Sequence, residues 1–283
     1  MITEEKGMPP IRILQVVAQM DRAGLETMLM TYYRRMDRER IQFDFLKHRE
    51  ELGDYDEEII SLGGKIYHIP AITPQNFPGY LKALDHFFTE HPDYRVVHAH
   101  LDALSSFVLR AAKKAGVPVR IAHSHNNGFE KSWKRPLRLV AKELLPRYAT
   151  HYWGCSQEAL CFLFGKDPED IHPRRVLPNA IEPERFVFDP VVRHKIRQEM
   201  MLEDHFVLGH IGRFCYQKNQ AFLLEIFAEI KKRQSNAVLL MIGDGKTREI
   251  LLERARRLRV EDSVRMMGVR ADIPRLLQGM DLF

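Results

Sequence analysis

Along most of the chain, short runs of β-branched and aliphatic residues alternate with segments of helical period. That alternation admits few folds other than parallel sheets joined by crossover helices. Apolar and period-2 runs predict strands over Ile11–Val17, Ile41–Leu46, Lys65–Ile69, Arg95–His98, Val119–His123, His151–Gly154 and Arg175–Leu177. Helices are expected between them, over Leu25–Met36, Phe77–Glu90, Ala103–Ala115 and Pro136–Leu145. After Asn179 comes a turn-rich stretch, AIEPERFVFDP, and then a second strand series at Phe206–Ile211, Ala237–Ile242 and Ser263–Met266. The expectation is α/β throughout: two doubly wound, Rossmann-like domains, residues 1–182 and 183–283.

With 283 residues, 45% hydrophobic and 29% charged, the chain can bury two cores and keep a solvated surface. No apolar run approaches the roughly 18 residues of a membrane span. The start, MITEEKGMPP, lacks the basic-then-apolar pattern of a secretory leader, so a cytoplasmic location is expected. Cys155, Cys161 and Cys215 are odd in number and lack CxxC spacing, which reads as reduced thiols with neither disulfide nor metal. A net charge of +5 permits contact with nucleic acid, anionic lipid or phosphorylated substrates and selects none of them. Nucleic acid is set aside, because the basic residues do not follow a recognised binding motif.

The segment GHIGRFCYQKN, Gly209 to Asn219, ends a strand in Gly212 and places Arg213 and Lys218 on the turn into a helix. A glycine that permits close backbone approach, two cations and a helix N-terminus together suit a dianionic phosphate group. Gly243-Asp244-Gly245 ends the next strand, and Gly268-Val269 the one after. Each glycine could equally be a plain loop residue with positive φ. Near the N-terminus, Ile11–Val17 leads into MDRAGLE, where Gly24 opens a helix, as a phosphate-facing turn or a simple capping turn.

Histidines form the second signal. VVHAH ends one predicted strand with His98 and His100, and IAHSHNN ends another with His123 and His125. Strand alternation puts both members of a pair on one face. Such a group can act on a sugar hydroxyl or a phosphate, hold a zinc ion, or serve strand-end packing. Packing is the preferred reading for His98, and no metal is expected. A third feature is GFEKSWKRPLRLVAKELLPRY, in which Lys131, Lys134, Arg135, Arg138, Lys142 and Arg147 interleave with Phe129, Trp133, Leu137 and Leu144. It fits a basic amphipathic helix on an anionic bilayer, or a core-facing helix with a solvated charged side.

GHIGRFCYQKN resembles the diphosphate-binding loop of retaining glycosyltransferases of the GT-B fold, family 4. LPNAIEPERF before it and GVRADI after it extend the resemblance to nearly the whole chain, with one departure at Ala23, where a glycine is usual. The resemblance implies a cleft between two domains, an acceptor-side N-terminal domain and a C-terminal domain for a nucleotide sugar, here UDP-linked. Gly24, Gly212, Arg213, Lys218, Gly243, Gly245, Gly268 and Val269 would bind the donor, and His125 or His123 would line the reacting centre. It implies no cofactor beyond the donor substrate, and a lipid-linked or glycan acceptor in polysaccharide or cell-envelope synthesis at the inner face of the membrane. The family's donor-holding glutamates would lie beyond Phe283, so the second domain is expected to be incomplete. Two rival readings stand beside it, a nucleotide-sugar epimerase of the same fold and an inactive nucleotide- or glycan-binding fragment.

Overall fold

The computed structural model describes residues 9–129, 135–166 and 172–283. The chain divides into two compact units, Met1–Ile181 and Glu182–Phe283. In the first, β1 (Ile11–Val17), α1 (Gly24–Arg35), β2 (Ile41–Lys47), α2 (Asp56–Ser61), β3 (Ile66–His68), α3 (Phe77–Glu90) and β4 (Val96–Ala99) are followed by α4 (Ser105–Lys114), β5 (Val119–Ser124), α5 (Arg135–Tyr148), β6 (His151–Gly154), α6 (Gln157–Phe164) and β7 (Arg174–Val176). The strands form one parallel sheet in the order β3-β2-β1-β4-β5-β6-β7. Strand order reverses between β1 and β4. In open α/β sheets, ligands bind beyond the carboxyl ends of the strands at such a reversal.

Alternation along β1 explains the two layers of helices. Leu14 and Val16 join the core shared with α3, α4 and α5, while Val17, backed by Ile13, joins the core that α1 fills with Met28, Leu29, Met30 and Tyr33. Both faces are covered, as a parallel sheet requires. One carboxylate is fully enclosed there. Burial alone would raise Asp44, but Arg12, the Tyr94 hydroxyl at 2.7 Å and the Lys65 amide at 2.7 Å donate to it and hold it below the usual range.

Two departures from the sequence expectations bear on function. The helix expected from Ala103 begins instead as a 3-10 turn over Asp102–Leu104, with Asp102 at φ +48°, because the Asp102 side chain is engaged with the loop after β5. Helix α5 also extends past Leu145, through Pro146 to Tyr148.

The second unit holds α7 (Pro190–Glu199), β8 (Phe206–Ile211), α8 (Gln220–Arg233), β9 (Ala237–Ile242), α9 (Arg248–Arg257), β10 (Val264–Gly268) and α10 (Ile273–Gln278). Its parallel sheet runs β10-β9-β8, and every residue of the central β9 is buried. Leu208, Leu239 and Met241 face α8 and α9, whereas Val207, Val238, Leu240 and Ile242 face α7 and α10. A Cβ on Gly209 would lie 1.9 Å from the Met280 sulfur, so glycine there lets the segment after α10 lie along β8. That segment is fastened by Gly209 N–H donating to Leu282 O at 2.8 Å and by Asp281, which accepts from the Val207 amide at 2.8 Å.

Candidate active site

In the second unit the carboxyl ends of all three strands meet. Gly212 N–H donates to Ile242 O at 2.9 Å, and Gly243 N–H donates to Gly268 O at 2.8 Å, so Gly212, Gly243 and Gly268 form one ledge. The chain then turns through Arg213 and a 3-10 turn over Tyr216–Lys218, and Asn219 in the left-handed region at φ +50° launches α8. Arg213 and Lys218 are exposed, and the Lys218 stem passes 3.7 Å from where a Gly212 Cβ would stand. The free amides of a helix start, beside two cations and an unobstructed glycine, are the chemistry that suits an anion.

The glycines do not all play one part. A Cβ on Gly243 would fall 2.1 Å from Gly212 O, and one on Gly245 would fall 2.3 Å from Phe214 O. Their close approach is to the neighbouring loop, which is stitched on by Phe214 N–H to Asp244 O at 2.9 Å. At Gly212 the nearest atom, 3.4 Å away, belongs to the His210 ring, and at Gly268 and Gly24 nothing lies within 4 Å. Room for a ligand therefore exists at Gly212, Gly268 and Gly24. Val269 is exposed beside Gly268. The sequence reading overlooked His210, half-buried under the Lys218 turn, where burial and then Lys218 push its pKa down.

In the first unit Gly24 is the opening residue of α1, and Ala23 at the cap makes no side-chain hydrogen bond. The first amides of α1 therefore have no cap from that residue. Beside β1, across the strand reversal, stand the four histidines. His98 Nε2 lies 3.0 Å from His123 Nδ1, and His100 Nδ1 lies 2.9 Å from His125 Nε2. His100 Nε2 continues to Gln15 Oε1 at 2.9 Å. His98, His100 and His123 are buried, and His125 is half-buried. Burial pushes His125 down to about 4 and His98 to about 3, with His100 and His123 also lowered, so the rings are neutral at pH 7. None is a ready proton donor in the imidazolium form, which narrows the sequence expectation to neutral-imidazole chemistry.

His98, His100 and His123 offer nitrogen atoms within 4.8 Å of one another, a spacing a metal ion could use. In this structure His98 Nε2 bonds to His123 Nδ1 and the two nitrogens of His100 bond to His125 and Gln15, while His123 Nε2 is enclosed without a partner among the described residues. Two residues absent from the sequence reading complete the group. Gln15 is a polar side chain, 1% exposed, inside the apolar run IRILQVV, and that incongruity was its only signal. Asp102 accepts from the His125 amide at 3.0 Å and from Asn126 Nδ2 at 2.7 Å.

The basic stretch from Gly128 to Tyr148 is described only in part. Lys131, Trp133 and Lys134 lie outside the described residues. Phe129, Leu137 and Leu144 pack against the core, as in the core-facing of the two readings, the two leucines because α5 lies on α4. Lys142 donates to Phe162 O at 2.6 Å. What α5 exposes is Arg135, Pro136, Leu139, Val140, Glu143, Pro146 and Arg147, two cations and one carboxylate around an apolar pair. A concavity by Lys113, Arg120, Arg147 and His172 lies at the amino ends of β5 and β6, away from the four clustered histidines. Lys113 and Arg120 there are engaged with backbone carbonyls of Arg147 and Tyr148.

Residues 12–180 match the family described as glycosyl transferase 4-like domain, and residues 205–283 the family described as glycosyl transferases group 1. The chain is similar to EpsF of Bacillus subtilis (strain 168), named as a glycosyltransferase, at 36% identity over 276 residues, covering 96% of this chain and 72% of that protein. It is similar at 26% identity to the UDP-Gal:alpha-D-GlcNAc-diphosphoundecaprenol alpha-1,3-galactosyltransferase of Escherichia coli, covering 67% of this chain and 51% of that enzyme. Among solved structures it superposes on HepE of Anabaena in complex with UDP-glucose, with TM-score 0.76, 21% identity, and coverage of 96% of this chain and 73% of that one. That last likeness speaks to the fold.

Proposed function

We propose a reaction for a chain that belongs to the GT-B glycosyltransferases of the bacterial exopolysaccharide and capsule type. A hexosyl or N-acetylhexosaminyl group passes from a UDP-linked sugar to a hydroxyl of a lipid-linked or glycan acceptor, with retained anomeric configuration. The observation that carries the reading is the ledge of Gly212 and Gly268 beside Arg213, Lys218 and the start of α8. Preorganised positive charge at the departing diphosphate lowers the barrier to breaking the sugar–phosphate bond. Arg213 and Lys218 supply it without a metal. The acceptor oxygen bonds to the anomeric carbon on the face the phosphate leaves, and its proton goes to a departing phosphate oxygen, so no protein base is required.

Gly24 and the uncapped start of α1 contribute a further anion-facing backbone surface, and His125 contacts the transferred sugar. His123, buried behind it, supports the ring. The Escherichia coli and Anabaena relatives, named with UDP-galactose and UDP-glucose, support UDP as the carrier. The first of these also supports an acceptor on a diphosphate lipid. Such an acceptor would place the chain at the inner membrane surface, with the exposed side of α5 toward anionic headgroups.

Calorimetry with UDP tests the site. A charge-assisted contact contributes about 1.5–3 kcal/mol, so Arg213→Ala and Lys218→Ala are each expected to weaken UDP binding roughly tenfold or more. Wild-type affinity in both variants would remove these residues from the donor site.

A further inference from the structure

We infer that Gln15 and His100 are positioning residues that fix the tautomer of His125, leaving its Nδ1 lone pair as the hydrogen-bond acceptor for a hydroxyl of the transferred sugar. The inference rests on the reading of His125 as the residue at the sugar. It follows from counting protons. An amide oxygen only accepts, so the 2.9 Å contact between Gln15 Oε1 and His100 Nε2 puts the His100 proton on Nε2. A neutral imidazole carries one N–H, so His100 Nδ1 only accepts. His125 Nε2, 2.9 Å away, must then be the donor, and His125 Nδ1 is left bare. That Nδ1 has no protein partner among the described residues, and it is not among the enclosed unpartnered atoms. One amide oxygen on β1 thereby sets two rings, His100 just past β4 and His125 just past β5.

The arrangement is held from both sides. Gln15 sits opposite His98 in the β1–β4 register and is 1% exposed, so its amide is confined by the sheet. Across the site Asp102 grips the His125 amide and the Asn126 side chain from a residue in the left-handed region, φ +48°. Aspartate tolerates that conformation better than most residues do. The other titratable or charged groups around the pair are His98 on β4, His123 on β5, Asp102 before α4, Arg138 on α5, and Cys155 after β6, which senses Asp102. A ring that accepts at Nδ1 discriminates for a hydroxyl hydrogen and against an acceptor-only group such as a carboxylate, so it suits a neutral sugar.

The test uses the full chain labelled with 15N-histidine and long-range 1H–15N correlation at pH 7, with His100→Asn and His125→Asn for assignment. Both rings are expected neutral with the proton on Nε2. In Gln15→Leu the His100 N–H loses its acceptor, so both rings should move toward mixed tautomers. Gln15→Glu should keep the wild-type pattern and raise the pH at which the pair titrates. With an active preparation, Gln15→Leu should lower kcat tenfold or more while UDP affinity is unchanged, and Gln15→Glu should restore part of the rate. Three results would overturn the inference: His125 protonated on Nδ1 in the wild type, Gln15→Leu spectra or kcat identical to the wild type, or a cobalt(II) ligand-field band lost in His98→Asn, because an ion would take these nitrogens from one another. Normal turnover in His125→Ala with the tautomers intact would instead show that the relay exists and that the reading of His125 at the sugar has failed.

Discussion

Gly212 and Gly243 are indistinguishable as letters, yet their surroundings predict opposite outcomes for the same substitution. A methyl at Gly243 meets the Gly212 carbonyl at 2.1 Å, and its φ of +134° strains any L residue, so Gly243→Ala should cost a few kcal/mol and lower Tm measurably. At Gly212 the added methyl finds nothing nearer than 3.4 Å, so Gly212→Ala should leave Tm within a degree or two and reduce UDP affinity by blocking backbone approach. Melting curves and calorimetry on both variants check the contrast. Equal Tm losses would mean that Gly212 is also a packing glycine. The strand-ending glycines were legible because apolar runs stop at them, but nothing in the sequence says whether a glycine accommodates a ligand or a neighbouring loop. The histidines show the same limit. Alternation put His98 with His100 and His123 with His125 on one face, whereas Gln15 is 85 positions from the His100 it orients.

Helix α5 shows what periodicity leaves undetermined in an element. Basic and apolar residues interleave around its whole circumference, so sequence could not say which apolar stripe is buried. Packing on α4 buries Ala141 and Leu145, with Leu137 and Leu144 beside them, and leaves Leu139 and Val140, 49% and 59% exposed, beside Arg135. Each cation near an anionic surface contributes about 1 kcal/mol, screened by salt. The chain should therefore sediment with phosphatidylglycerol vesicles at low salt, release at high salt, and ignore phosphatidylcholine. Leu139→Glu with Val140→Glu should abolish sedimentation without lowering Tm, since neither side chain is in the core. A wild-type chain that ignores anionic vesicles would refute a bilayer role for this face. The 3-10 start at Asp102 was equally hidden, because the residues from Ala103 onward have good helical period and the constraint comes from the β5 loop.

Over the whole molecule, buried neutral histidines are concentrated in the first unit, and this makes its stability acid-sensitive before the carboxylates titrate. Burial lowers His48 to about 4, His98 to about 3 and His125 to about 4, and lowers His100 and His123 as well. Unfolded, each titrates near 6.5. The unfolded chain therefore binds more protons than the native one below that pH, so stability is full above about 6.5 and falls as pH drops toward about 4. His48 alone, held by Val17 O and the Tyr80 hydroxyl at 2.9 Å each, represents roughly 3 kcal/mol over that window. Asp102, raised by burial, takes up a proton earlier when folded and offsets a part of the loss. Asp44 and Asp281, both lowered, lose their contribution only below about pH 4. In the second unit His210 is the histidine that burial lowers, and it is half-buried. Hydrogen exchange at pH 7 and pH 5 should accordingly show protection falling in β1, β4 and β5 much more than in β8 and β9, after correction for intrinsic rates. His48→Gln, which keeps a neutral hydrogen-bonding side chain, should flatten the pH dependence of the first unit even at some cost in stability at pH 7. A fall shared equally by both sheets would locate the acid sensitivity outside the histidines, and unchanged protection at pH 5 would mean that the cluster admits protons without loosening the sheet.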